Sequence, residues 1–447
     1  MSSLARSPSP SPPSASPPSA SPLSASAASY YSSSTSLAPA AIAAYLSGAA
    51  SPAHRFVRLA PPRSGAPPLS SEELSSPPAE LLPLAPGDTP GDTPVPVPWL
   101  PVPWLPVPWL PPRLLFYALP HSKPLSSLPA YAQGLLYGMD ASSGAAVAAL
   151  SLPPPSSSGA SSAPQALLDL CCCPGMKLQL ARDLLPPGSR VVGVDLSRPR
   201  LEVARALLRK YEPAPPTVTV RLYEGDGATF PGGAPAPASA RAAPRVTVQL
   251  YESDGATFPG GKPALAYDSR AALSEAPRGR SRMNKSARAR ERSRLAALAA
   301  EDPPPKLYDY VLVDAECSTD GSVTHLKRRP EKHQPEPKPL AVSPAEQAEL
   351  AALQLRLLRN GYARLKRGGA LVYSTCSLSR EQNEGVVGRF LKGEGGARTE
   401  RIEELGGAPC EEGGVEHSLR FLPDLGEGGG GMRPGSGFWI VRIRKGE

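Results

Sequence analysis

Two of the six cysteines in this chain each sit just past a short apolar run. Cys317 closes "YVLVDAEC" and Cys376 closes "LVYSTC". A thiol in such a place can serve covalent chemistry, because its thiolate is a strong nucleophile near neutral pH. Other reactive groups follow similar runs. "LLDLCCCPGMK" supplies Asp169, then Cys171, Cys172, Cys173, Pro174, Gly175, Met176 and Lys177. Asp195 follows "RVVGV". Asp226 follows "VTVRLYEG", and Asp254 holds the same place in a second copy of that run. Asp314 and Glu316 precede Cys317. Five runs thus deliver five sets of polar or nucleophilic groups.

The runs read as strands at 166–170, 190–194, 218–223, 308–313 and 370–374. They are apolar and β-branched without clean alternation, as strands buried on both faces should be. Helical patterning fills 178–185, 198–211 and 344–366. The last helix has Ser343 as N-cap, Pro344 in the first turn and Glu346 closing a capping box. Gly368 and Gly369 are its expected stop. Alternating strands and helices predict an open parallel α/β sheet. Ligands of such sheets bind beyond the carboxyl ends of the strands, where all five sets of groups lie.

Some roles follow from position alone. Pro174 and Gly175 let the backbone approach a ligand closely and open a helix N-terminus. Asp195, about 25 residues past that loop, suits ribose hydroxyls. Its plainer role is a helix N-cap. A further acid after the third strand suits the adenine end of an adenosyl ligand, although no G-x-G-x-x-G is present.

Composition sets the frame. The chain has 447 residues, with 59 prolines and 40 glycines concentrated in low-complexity runs. Roughly 300 residues remain for folding, ample for a large core. The formal charge of +8 is compatible with a polyanionic partner. No C-x-x-C pair occurs, which argues against a zinc site and a disulfide framework. No run of eighteen apolar residues predicts a membrane span.

Residues 1–39 are nearly all Ser, Pro and Ala and are expected to be disordered. The first acidic residue is Glu72, the bias of an organelle transit peptide, yet Arg6 is the only basic residue in the first fifty. Import into a plastid or mitochondrion and a plain tail both stay open. With a plain tail, the compartment would be nucleus, nucleolus or cytoplasm. A small N-terminal domain is expected over 40–130, interrupted by proline-rich sequence with Trp99, Trp104 and Trp109 five residues apart. The array reads either as a peptide ligand or as one packed VPWLP copy with tandem expansions. The larger domain is expected over 131–447.

The stretch 218–233 recurs at 246–261 with two differences. We read a local duplication in which one copy occupies the sheet and the other loops out. The first copy connects more directly to the preceding helix, which favours Asp226 over Asp254. A basic insertion spans 262–305. Within it, 278–294 holds eight basic residues against Glu291, a credible phosphate-binding stripe or a solvated segment.

"LLDLCCCPGMK", "DAECSTDGS" and "LKRGGALVYSTCSLSREQNE" together resemble the Sun family (Fmu-type) of RNA cytosine-5 methyltransferases. "HRFVRLAP", "YGMDASSGAAVAAL" and "RFLPDLGEGGGGMRPGSGFWIVRIRK" add to the likeness, which runs in order from about residue 40 to the end. The resemblance implies a Rossmann-like methyltransferase sheet, S-adenosylmethionine as cofactor, and RNA (ribosomal or transfer) as substrate, without metal or membrane and as a monomer. It implies Cys376 as nucleophile, Cys317 as the group assisting product release, Asp314 at the base, and Lys177 in support. It also implies that residues 171–177, Asp195, Asp226 and Asp314 hold the cofactor. The family has proline where this chain has Glu316. That carboxylate either faces Cys317 and disfavours its thiolate or points to solvent. A DNA cytosine-5 methyltransferase and a non-catalytic RNA-binding scaffold are the competing readings. The first takes its nucleophile from a Pro-Cys loop that is missing here, and the second predicts loss of a catalytic cysteine or cofactor acid.

Overall fold

The computed structural model describes residues 32, 35–46, 54–60, 105–120, 124–153, 163–211, 219–224, 228, 250–252, 264–268, 286, 289, 290, 293, 294, 297, 304–322, 343–424 and 435–446. Asp226, Asp254, Trp99, Trp104 and most of the basic stripe lie outside them.

A first, four-stranded sheet holds β1 (His54–Leu59), β2 (Leu105–Pro106), β3 (Phe116–Pro120) and β4 (Leu136–Gly138) in the order β2-β3-β1-β4. Helix α1 (Pro39–Leu46) precedes it, and the short α2 (Pro129–Ala132) leads into β4. Trp109, 7 % exposed, packs on Phe421 with ring centroids 5.5 Å apart. The third VPWLP copy is therefore a packing element. Arg58 of β1 is buried and pairs with Asp183 of the larger unit. It also donates to Tyr137 Oη at 2.7 Å and the Leu114 carbonyl at 3.1 Å.

The main sheet begins with β5 (Ala166–Asp169), β6 (Arg190–Asp195), β7 (Thr219–Glu224), β8 (Leu250–Glu252) and β9 (Ala264–Asp268). It continues with β10 (Tyr308–Asp314), β11 (Leu365–Thr375), β12 (Ala397–Glu400), β13 (Cys410–Glu412), β14 (Leu419–Phe421) and β15 (Phe438–Lys445). The order is β13-β14-β15-β11-β10-β5-β6-β7-β9-β8, with β12 also on β15. The run β11-β10-β5-β6-β7 is parallel throughout. Its order reverses between β5 and β10, so the ends of those two strands flank the switch-point crevice.

Side chains alternate between two buried layers, as the strand period requires. Leu312, Val372 and Ile440 join the layer under α3 (Ala141–Ala148), α4 (Met176–Leu184) and α5 (Arg198–Lys210). Val311, Val313, Leu371 and Tyr373 join the layer under α6 (Pro344–Ala363) and α7 (Glu384–Gly393). The five predicted strands and three predicted helices all form, with two corrections.

Helix α6 carries the predicted capping box, with Ser343 Oγ accepting from the Glu346 amide at 3.2 Å and Glu346 accepting from the Ser343 amide at 2.9 Å. It ends at Ala363, before Gly368. Lys445 Nζ takes up the Tyr362 and Leu365 carbonyls at 3.0 and 2.9 Å. Gly368, at φ +70°, sits instead in an irregularity of β11, where the register jumps from Tyr308↔Leu365 to Tyr310↔Ala370. The glycine is needed for a bulge in a strand, which a helix-stop reading of the sequence does not distinguish.

The second copy of the duplicated run does not loop out. The first copy forms β7 beside β6, while the second forms β8 at the sheet edge. Strand β9 lies between them, with Tyr267 opposite both Leu222 and Leu250 and Leu265 opposite both Tyr223 and Tyr251. An antiparallel strand after the duplication gives the extra copy a ladder to join. Among the described residues, no helix is long and apolar enough to cross a membrane.

Candidate active site

Strands β10 and β11 are neighbours in the sheet and run parallel, so the residues beyond their ends emerge side by side. Cys317 and Cys376 meet there, with their sulfurs 3.4 Å apart and both side chains partly buried. The two loops are bound together. The Gly321 amide donates to the Cys376 carbonyl at 2.8 Å, and the Gly437 amide donates to the Gly321 carbonyl at 2.7 Å. A Cβ on Gly321 would stand 2.5 Å from the Cys376 oxygen. Only glycine lets the backbones approach this closely.

The stretch "SREQNE" supplies clamps that a strand-by-strand reading does not reveal. Gln382 accepts from the Ser318 amide at 3.0 Å and donates to Ser318 Oγ at 2.9 Å. Asn383 accepts from Thr375 Oγ1 at 2.6 Å and donates to the Ser377 carbonyl at 2.9 Å. Asp320, buried behind both loops, accepts from Ser318 Oγ and from the Leu378 amide. Each cysteine is thus held by buried polar partners rather than by a mobile loop tip.

Lys177, from the first turn of α4, reaches across to β10. Its ammonium donates to Asp314 Oδ2 at 2.7 Å, and Ser374 Oγ donates to Asp314 Oδ1 at 2.8 Å. The ammonium also lies 5.2 Å from the centroid of the Phe438 ring. Burial works to lower the Lys177 pKa, but the charge and hydrogen bond of Asp314 outweigh it and the group ends raised. Cys376 shifts well upward, through its hydrogen bond with Cys317, burial, and the nearby charges of Asp314 and Asp320. Asp169 at the end of β5 is pushed up to about 8, by burial and then by Asp314.

The loop after β5 runs against the end of β6. The Cys173 amide donates to Asp195 Oδ2 at 3.2 Å, and the Ser197 amide donates to Asp195 Oδ1 at 2.9 Å. Gly175, at φ +101°, opens α4, and a Cβ there would come within 3.2 Å of Ala204 on α5. Arg200 donates to the Cys173 carbonyl at 2.7 Å. Cys172 and Cys173 are buried, Cys171 partly so, and Pro174 is exposed. Glu316 is exposed to solvent, and its carbonyl accepts from Gln354 at 2.8 Å.

The crevice therefore brings together Cys317, Cys376, Asp314 and Lys177, with residues 171–176 and Asp195 along the adjoining strand ends. Asp140, the N-cap of α3, belongs to the same neighbourhood and was not singled out from sequence. It is partly buried, accepts from the Ser142 amide at 3.1 Å, and feels the Lys177 charge. Its signal is an N-cap-type Asp directly before the small-residue run Ala141–Ala148 that forms α3.

Residues 286–431, which include both site cysteines, match the family described as 16S rRNA methyltransferase RsmB/F. Over 88 residues the chain is 40 % identical to ribosomal RNA small subunit methyltransferase F of Shigella flexneri serotype 5b, covering 20 % of this chain and 16 % of that one. Over 100 residues it is 37 % identical to the mitochondrial tRNA (cytosine(34)-C(5))-methyltransferase of Danio rerio, covering 22 % and 25 %. The match spans a quarter or less of these relatives. A crystal structure of a methyltransferase homolog protein from Pyrococcus horikoshii shares the fold, with TM-score 0.50 over 93 % of each chain at 18 % identity. The segment carrying Cys317 and Cys376 is thus the part of the chain that is similar to the 16S rRNA methyltransferase RsmB/F family.

Proposed function

We propose that the chain is an RNA methyltransferase that modifies carbon 5 of cytosine with S-adenosylmethionine as donor. The observation that carries this reading is the 3.4 Å approach of two partly buried sulfurs beside the Lys177–Asp314 pair.

Carbon 5 of cytosine is a weak nucleophile. Addition of a thiolate at carbon 6 turns the ring into an enamine and makes carbon 5 reactive. Cys376 is the adding thiol. Its raised pKa keeps it protonated at rest, so it must lose that proton before it adds. The Lys177 ammonium, close enough for its charge to couple with that of Cys376, stabilises the thiolate once it forms. Asp314 is held through both oxygens and lines the position where the base edge near ring nitrogen 3 would lie, so that it supports the addition. After methylation, the carbon 5 proton passes to solvent with the help of Cys317, its electron pair restores the ring double bond, and Cys376 leaves as a thiolate that takes up a proton from solvent.

The donor set on the β5 and β6 ends fits an adenosyl cofactor. Asp195 offers ribose hydroxyls a buried carboxylate, and each oxygen keeps a lone pair beyond its backbone amide. The tight packing of Gly175 on α5 keeps the loop low enough for close backbone approach. S-adenosylmethionine, when bound, supplies an electrophilic methyl group. Asp226 is proposed for the adenine end, on the ground that the first copy of the duplicated run is the one beside β6.

RNA carrying 5-fluorocytosine tests the reading, because fluorine at carbon 5 blocks release. A covalent adduct mapped to Cys376 is expected. An adduct at Cys317 would reverse the roles, and no adduct with ribosomal or transfer RNA would overturn the enzymatic reading.

A further inference from the structure

Cys172 and Cys173 occupy the loop between β5 and α4, and the mechanism uses neither thiol. Their sulfurs lie 4.0 Å apart. With a carboxylate oxygen of Asp195 they form a triad whose ligand atoms all stand within 4.8 Å of one another, and all three residues are buried. Two thiolates on one tetrahedral zinc-type ion, at bonds of about 2.3 Å, stand about 3.8 Å apart. The observed spacing needs only a few tenths of an ångström of adjustment. Cys171 does not take part, since it packs with the opposite layer of the sheet. The absence of a C-x-x-C pair does not bear on this triad, because the fold brings Asp195 from the neighbouring strand to serve as third ligand.

Charge supports the same occupant. Two thiolates and a carboxylate carry three negative charges, and a divalent cation leaves one. Arg200 Nη1 lies 3.8 Å from Asp195 Oδ2 and offsets it. Soft thiolate ligands favour thiophilic ions over magnesium or calcium.

We propose that Cys172, Cys173 and Asp195 form a binding site for a thiophilic divalent cation of the zinc type, and that the cation and the adenosyl cofactor exclude one another at Asp195. Binding releases the two thiol protons and forms two metal–sulfur bonds and one metal–oxygen bond. The exclusion rests on the cofactor role proposed above for Asp195, whereas the metal site itself does not.

Cadmium is the probe, because its bond to thiolate carries an ultraviolet charge-transfer band. The full chain bearing Cys317→Ser and Cys376→Ser removes the other close pair of sulfurs. One equivalent of cadmium is expected to raise the band there, and X-ray absorption is expected to show two sulfur neighbours. Cys172→Ala or Cys173→Ala should weaken cadmium binding by at least about tenfold, while Cys171→Ala and Cys410→Ala should not. Unchanged affinity after both substitutions at 172 and 173, or a band that requires Cys317 and Cys376, overturns the site. If an alanine variant fails to fold, the sulfur count around cadmium in the chain that keeps Cys172 and Cys173 decides, and fewer than two sulfurs overturns it. Saturating S-adenosylhomocysteine should lower cadmium affinity by at least about tenfold, with the reciprocal effect of cadmium on its binding. S-adenosylhomocysteine that binds without changing cadmium affinity overturns the exclusion. Failure of S-adenosylhomocysteine to bind the metal-free chain overturns the cofactor reading and leaves the metal site standing.

Discussion

Gln382 grips Ser318 at two points, taking the Ser318 amide on its carbonyl at 3.0 Å and giving its own amide hydrogen to Ser318 Oγ at 2.9 Å. Gln382 is buried and belongs to the loop that follows Cys376, while Ser318 follows Cys317 directly. The side chain therefore ties the two thiol-bearing loops into one unit. Gln354 on α6 adds a third strut, donating to Gln382 Oε1 at 3.2 Å and to the Glu316 carbonyl at 2.8 Å.

A misplacement of about 1 Å at a reacting group costs on the order of a hundredfold in rate. Gln382→Ala is expected to lower the single-turnover rate of methyl transfer by about tenfold to a hundredfold, with little change in RNA affinity. A purely structural role would instead reduce stability and leave the rate per folded molecule intact. Single-turnover kinetics and a denaturant titration on the same variant separate the two.

The parts of this site that were legible in sequence are those encoded locally. The strands at 166–169, 190–195 and 308–314 are apolar and bounded by polar residues, and the α6 capping box lies within four consecutive residues. Strand-end chemistry followed because parallel topology sends every such end to one edge. The clamps were not legible, because Gln382 and Ser318 are 64 residues apart and only the fold makes them neighbours. Arg58 was hidden for a related reason. Nothing within "HRFVRL" marks it for burial, and its partner comes from α4, 125 residues away. Gly368 carried a true signal of positive φ but not which element needed it.

Asp169 makes stability depend on pH. Its carboxyl is pushed up to about 8 by burial and by Asp314, whereas the unfolded chain titrates near about 4. The folded state thus holds a proton that the unfolded state has released. The corresponding stabilisation is fully present below about pH 4 and is lost as pH rises through about 8. Asp169→Asn keeps an acceptor for the Cys171 amide, which Asp169 Oδ1 serves at 3.2 Å, and removes the titration. The melting temperature of this variant is expected to fall less steeply than that of the parent between about pH 5 and about pH 8. Identical slopes would show that Asp169 is ionised in the folded chain.

The four-stranded sheet is anchored to the unit built on the main sheet through a buried charge pair, Arg58 with Asp183, each side chain 2 % exposed. Tyr137 and the Leu114 carbonyl complete the arginine's hydrogen bonding, and Gln179 Nε2 serves the other Asp183 oxygen at 2.9 Å. Removing one member of such a pair strands the other without water or counter-charge, which costs about 3–5 kcal/mol. Replacing both members with apolar groups avoids that cost. Arg58→Leu is therefore expected to lower unfolding free energy by that amount, and Arg58→Leu with Asp183→Leu by less than the single change alone. Chemical denaturation of the two variants measures the difference. A double variant as unstable as the sum of its single changes would mean that the two side chains act independently, each through its own packing.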